Sequence, residues 1–149
     1  MSLEETKALF ESKSNEATKK YHVKIYREFA KLFHILIKRP LTEDQKSTID
    51  EELKSYRLKA VEENTYSKHK KKLNRFKKFL RERYGWVTSG YYTTLFMILG
   101  MVLGQSIGLS IHPSTGLAIG LGAGMSVGMA LGAWRDQALK KENKVLEYA

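Results

Sequence analysis

The residues able to do chemistry in this chain are few. They are four histidines, an arginine in helical register with one of them, and a single amide set in a charge-free stretch. Arg27 and His34 stand seven positions apart, with six residues between them, in the segment YREFAKLFHIL. His22, His69 and His112 have no partner at metal-ligand spacing, and His112, beside Pro113, reads as a polar turn residue. The acidic residues gather at 43–52 and 62–63, on solvated helix faces rather than as a paired-carboxylate site. With no cysteine, disulfides, thiolate catalysis and cysteine-based zinc sites are excluded. No phosphate-cradling loop and no serine-nucleophile context are present, so neither cofactor nor metal is expected. Gln105 and Ser106 remain as polar groups in an apolar run, where such groups usually face protein or water.

The elements that must carry these residues are of two kinds. Averaged over 149 residues, a net charge of +10 and 42% hydrophobic residues suggest an ordinary soluble chain. Residues 1–84 hold 22 Lys/Arg against 13 Asp/Glu and no glycine. Residues 86–134 hold no charged residue. The basic character thus belongs to the N-terminal region, the part suited to an anionic partner. The N-terminal segment is polar, with no apolar h-region, so a signal peptide is not expected.

The N-terminal region reads as helices. Ser2 and Glu5 have capping-box spacing, as do Thr42 and Gln45, with Glu43 and Asp44 in the first turn. Ile25, Phe29, Leu32, Phe33, Leu36 and Ile37 form an amphipathic stripe that Pro40 stops. A looser stretch at 12–18 interrupts the first helix. Ile49, Leu53, Tyr56 and Ala60 mark the next stripe, and Ser67 could cap a further helix unless 41–84 is one long element. Residues 68–84 are the most basic part. There Lys70, Lys71, Lys72, Arg75, Lys77, Lys78, Arg81 and Arg83 surround Leu73, Phe76, Leu80 and Tyr84. These cations suit anionic lipid headgroups at about 1 kcal/mol each. The apolar stripe either dips into the membrane interface or packs on its own domain. Nucleic acid is not an expected partner, because no recognition motif accompanies the charge.

The charge-free region divides at His112-Pro113-Ser114 into spans of 92–111 and 115–134, each near the ~20 residues that cross a bilayer. The connection permits only an antiparallel hairpin. Basic residues flank both outer ends and none lies at the tip, so both termini are expected to be cytoplasmic. Trp86, Tyr91, Tyr92 and Trp134 would form an aromatic belt at that interface. The expected organisation is all-α: a basic cytoplasmic helical domain at 1–84, a two-span hairpin at 85–134 and a cytoplasmic tail at 135–149.

Glycine keeps a four-residue stride in both spans: Gly100, Gly104 and Gly108, then Gly116, Gly120, Gly124, Gly128 and Gly132. Residues four apart lie nearly above one another on a helix, so each series makes a shallow groove. A second small-residue line, Ala118, Gly122, Ser126 and Ala130, runs beside the longer one. One groove can close the hairpin, and the leftover line predicts a second copy of the chain.

The segments FMILGMVLGQSIGLSI, STGLAIGLGAGMSVGMALGAWRD and QALKKENKVL resemble bacterial small membrane proteins with a glycine-zipper transmembrane hairpin, over residues 85–149. The resemblance implies membrane insertion and self-association. A membrane-anchored homo-oligomer acting as a scaffold at the cytoplasmic face of the inner membrane is therefore expected. An oligomeric pore lined by residues that include Gln105 and Ser106, or a membrane-perturbing effector, is the alternative, and a membrane-tethered ribonuclease comes third. Arg27-x6-His34 is similar to the short Arg–His motif of HEPN-type ribonucleases. That resemblance implies an acid/base role for His34 and phosphate-charge stabilisation by Arg27. The plainer reading is a histidine at the edge of the Phe33/Ile37 face.

Overall fold

The computed structural model describes residues 2–56, 66–112 and 115–147. Ala60, the carboxylates at 62–63 and the Pro113-Ser114 tip lie outside them. The fold is all-α, with 84% of the described residues helical. The chain divides into two compact units, Met1–Gly85 with Leu146–Ala149, and Trp86–Val145.

The described residues of the first unit form four helices: α1 (Leu3–Glu16), α2 (Lys20–Lys38), α3 (Glu43–Ser55) and α4 (Tyr66–Tyr84). Both expected capping boxes form. Ser2 and Thr42 accept from the backbone N–H of Glu5 and Gln45, whose side chains accept in return. The break between α1 and α2 falls at residues 17–19, later than the loose stretch at 12–18 suggests, because α1 stays helical through Glu16. α3 ends at Ser55 with Tyr56 as its C-cap, and the described part of α4 starts at Tyr66. Ser67, expected as a cap, already lies within α4.

The core of this unit is aromatic. Phe10 of α1 stacks on Phe29 of α2 with ring centroids 4.2 Å apart, and Phe33 meets Phe76 of α4 at 5.6 Å. Leu32, Leu36, Ile49, Leu53, Leu73 and Leu80 complete it, all buried. The α4 stripe therefore packs on its own domain instead of dipping into an interface. Truncating such a buried Phe to Ala typically costs about 3–5 kcal/mol. Gly85 ends α4 in the left-handed conformation (φ 70°), its N–H donating to the Arg81 carbonyl at 2.9 Å. A glycine meets this requirement without a Cβ penalty.

The second unit is a helical hairpin of α5 (Tyr91–Ile111) and α6 (Thr115–Lys141). α6 runs on past Trp134 to Lys141, so the stretch expected as a tail from residue 135 begins as helix. Asn143 (φ 58°) then reverses the chain. Its N–H donates to Lys140 O at 3.0 Å, and the Lys144 N–H to Leu139 O at 2.9 Å. This is a Schellman ending with asparagine in the left-handed position usually held by glycine. It brings the chain back so that Val87 N–H donates to Lys144 O at 3.0 Å. β1 (Val87–Thr88) and β2 (Val145–Leu146) form a minimal two-stranded sheet. Val87, Leu139 and Val145 make a small cluster there, with Tyr91 and Tyr92 packed on it.

The two helices meet backbone to backbone. A methyl group at Gly100 would stand 2.1 Å from the Gly124 carbonyl oxygen, one at Gly104 2.1 Å from Gly120 O, and one at Gly108 2.0 Å from Gly116 O. The series continues with Gly128 against Phe96 O and Gly132 against Tyr92 O. At Gly122 the same methyl would meet nothing within 4 Å. Two substitutions therefore diverge. Gly120→Ala should destabilise the hairpin by about 1–3 kcal/mol, since the atoms its methyl would meet, in Gly104 and Gly108, are all backbone. Gly122→Ala should be neutral or stabilising by about 0.5–1 kcal/mol through helix propensity. Unfolding of each variant in a denaturing-detergent titration, followed by far-UV circular dichroism, checks the pair; equal shifts would contradict the packing.

Candidate functional site

The hairpin surface is the candidate site. Among the described residues, α5 and α6 are the two helices long and apolar enough to cross a membrane, by length and composition. Their burial is the reverse of a soluble protein's. Gly108, Gly116, Gly128 and Gly132 are buried. Apart from Tyr21, every exposed large hydrophobic residue among those described lies on α5 or α6, including Val102, Leu103, Ile107 and Ile119. Thirteen such side chains, about half exposed, correspond to on the order of 10–20 kcal/mol of unrealised burial. That equals or exceeds the whole stability of an ordinary domain, about 5–15 kcal/mol.

The leftover small-residue line lies open. Ala118, Gly122, Ser126 and Ala130 are all exposed, on the side of α6 turned away from α5. The Ser126 hydroxyl donates to Gly122 O at 2.9 Å. Its polarity is satisfied inside its own helix, and what it presents outward is a small, flat contour. A second face holds an apolar groove of about 490 Å³ between the helices, walled by Leu99, Leu103, Ile107, Val127 and Leu131 with the glycine backbones as its floor.

Of the polar groups at span depth, Ser106 donates to Val102 O at 2.9 Å and Ser110 to Ser106 O at 3.0 Å. These are bonds within α5, so Ser106 does not bridge to the facing helix. Gln105 is exposed and takes part in no hydrogen bond among the described residues.

Asp136, which sequence reasoning passed over, closes the open end of the hairpin. From α6 its carboxylate accepts the backbone N–H groups of Tyr92 (3.1 Å) and Thr93 (2.9 Å) and the Thr93 hydroxyl (2.7 Å). α5 begins after Gly90 (φ 74°), which offers no capping side chain. The cap therefore comes from the other helix, a carboxylate at a helix N-terminus, where the dipole favours negative charge. The one sequence signal was an acidic residue directly after the last apolar turn.

The expected aromatic belt is uneven. Trp86 is buried, Tyr91 and Tyr92 pack in the end cluster, and Trp134 is 69% exposed. Arg135 lies over the Tyr92 ring at 5.9 Å.

In the first unit the expected headgroup cations are not equivalent. Lys77 is ion-paired with Glu28 of α2. Lys78 pairs with Glu82 at 3.6 Å along α4. Arg75 lies over the Tyr56 ring at 5.4 Å and Lys70 over Tyr66 at 5.9 Å. Lys71 and Arg83 are exposed, while Lys72 and Arg81 are half-buried. Tyr56 donates to the Glu52 carboxylate, and burial followed by that bond pushes its phenol well above the usual range. Arg27 and His34 are both exposed on α2. His69 is the buried histidine, edge-on to Tyr26 at 5.3 Å and to Phe10 at 6.4 Å. Its place in the 69, 73, 76, 80 register of α4 was the available signal. Among the described residues no three His, Asp or Glu gather as metal ligands would.

Comparison of the chain with protein-family models, characterised proteins and solved structures returns no match. The geometry alone carries the functional argument.

Asp136→Ala leaves two helix-start N–H groups without their carboxylate. It should destabilise the hairpin by about 1–2 kcal/mol, within the range of a lost cap. Faster amide exchange at Tyr92 and Thr93 by NMR would accompany it; unchanged exchange would show that the cap contributes little.

Proposed function

We propose that this protein is a membrane-anchored, self-associating helical protein, acting as a scaffold or anchor at the cytoplasmic face of the inner membrane. The inverted burial of the hairpin carries this reading: glycine inside and aliphatic side chains outside suit hydrocarbon as the surrounding solvent. At ~1.5 Å per residue, the 21 residues of α5 extend about 31 Å, matching a ~30 Å hydrocarbon core. α6, at 27 residues, overruns that length and carries Arg135, Lys140 and Lys141 on the overrun. Basic residues there and in α4 favour cytoplasmic termini.

Self-association would use the open line on α6. In lipid no hydrophobic force presses helices together, so association depends on close backbone approach and dispersion. Ala118, Gly122, Ser126 and Ala130 permit that approach on the side away from α5. The free cations of α4, chiefly Lys71 and Arg83, would then meet anionic headgroups, with Lys77 retained for the fold. A pore is the second reading, favoured by the exposed amide of Gln105.

The test is oligomer size. Wild-type protein in mild detergent should cross-link beyond the monomer, and Gly122→Leu with Ser126→Leu should return it to monomer while it still resists alkaline extraction from membranes. A monomeric wild type, or an unchanged ladder in the double variant, would count against self-association through this line. Ion flux in liposomes that is lost on Gln105→Leu would move the conclusion to the pore.

A further inference from the structure

The first unit contains a small polar cleft that neither the hairpin nor its proposed setting requires. It lies where α1 passes into α2, has a volume of about 240 Å³, and is lined by Lys13, Glu16, Thr18, Lys19, His22 and Tyr26 among others. Positive charge converges on it from separate elements. Lys13 comes from the last turn of α1, and Lys19 from the connection to α2. Neither has a carboxylate within ion-pair reach among the described residues. Glu16 accepts the Ser12 hydroxyl along its own helix. The Lys19 ammonium lies 6.0 Å over the Tyr21 ring. From α4, Lys72 is held below the ordinary lysine range, first by burial and then by the charges of Lys68 and Lys13. Lys13 and Lys68 thus lie near enough to Lys72 to oppose its charge, and an anion in the cleft would be attracted by all of them.

Glu16 is the one carboxylate in the lining, and the His22 wall suits an anion. The His22 ring is boxed by tyrosines, with centroids 4.6 Å from Tyr21, 6.0 Å from Tyr26 and 6.4 Å from Tyr66. This fixes an imidazole, a further N–H donor, at the cleft. α2 also opens here with lysine at its N-cap and no capping side chain, whereas α1 and α3 each carry a full capping box. A cation at the positive end of a helix is unfavourable by itself. The cleft is smaller than the ~300–1,000 Å³ that accommodates a whole drug-sized ligand. It therefore fits one compact anionic group with several acceptor oxygens.

We propose that the cleft at the α1–α2 turn binds a phosphate group, held by Lys13, Lys19 and His22. The group is either a free phosphate or the exposed phosphate of a lipid headgroup. The site lies wholly in the first unit, and the proposal does not depend on the membrane reading.

The full chain in zwitterionic detergent micelles provides the test. The imidazole resonances of His22, assigned through His22→Gln, are followed by NMR at fixed pH and ionic strength. One arm adds inorganic phosphate against chloride, and the other adds phosphatidic acid to the micelles. A saturable His22 shift is expected in at least one arm. Lys13→Gln with Lys19→Gln should raise its midpoint about tenfold or more, the effect of losing roughly 1.4 kcal/mol of charge-assisted bonding. Lys24→Gln with Lys38→Gln removes the same charge elsewhere on α2 and should change it less than about twofold. Saturation by inorganic phosphate assigns a soluble ligand, and saturation by phosphatidic acid alone assigns the headgroup. Equal weakening in both double variants, or no His22 response in either arm, overturns the proposal.

Discussion

Contact of α5 with α6 through bare backbone is the constraint on which the second unit depends. At every paired glycine the facing carbonyl occupies the space a methyl would need. This closeness replaces side-chain interdigitation as the source of cohesion: dispersion and Cα–H···O contacts act along the length of the pair. Because the glycines supply the interface, the large side chains are displaced to the outside. The exposed aliphatic surface is thus the geometric counterpart of a glycine interior, and the proposed bilayer setting follows from that one packing choice.

The two units solve the same problem of helix cohesion by opposite means. In the first, Phe10, Phe29, Phe33 and Phe76 fill the space between helices with rings, and Thr6, Ser14 and His69 are the polar residues buried beside them. Glycine is absent from its helices and appears only at Gly85, where α4 must end. In the second, bulk is excluded from the interior. Cation placement follows the same division. Some of the basic residues of α4 are committed to the fold, as Lys77 is to Glu28. Others remain available to anionic partners.

Much of this was legible because it is local and periodic. The α2 stripe, both capping boxes and the glycine strides repeat at helical spacing, and each is found where its spacing put it. What escaped reading depends on contacts distant in sequence or on residues of ambiguous polarity. The buried face of α1 is Leu3, Thr6, Phe10 and Ser14, and two hydroxyl residues among four disguise its apolar character. Thr6 is tolerated there because its hydroxyl donates to the Ser2 carbonyl. His69 carries the polar reputation of histidine into a ring-lined core. Asp136 was hidden by its separation from Tyr92 and Thr93, since no local pattern announces a cap supplied from another helix.

That separation also bears on how the chain is made. The carboxylate that caps α5 is encoded 43 residues after Thr93. At the ~5–20 residues per second of protein synthesis, α5 leaves the ribosome roughly 2–9 seconds before its cap exists. For that interval its leading N–H groups have only water or other surroundings to bond. The first turn of α5 is thus completed only when α6 has been synthesised to its charged end, which makes the antiparallel pair, and not the single helix, the smallest part of this region that can be finished.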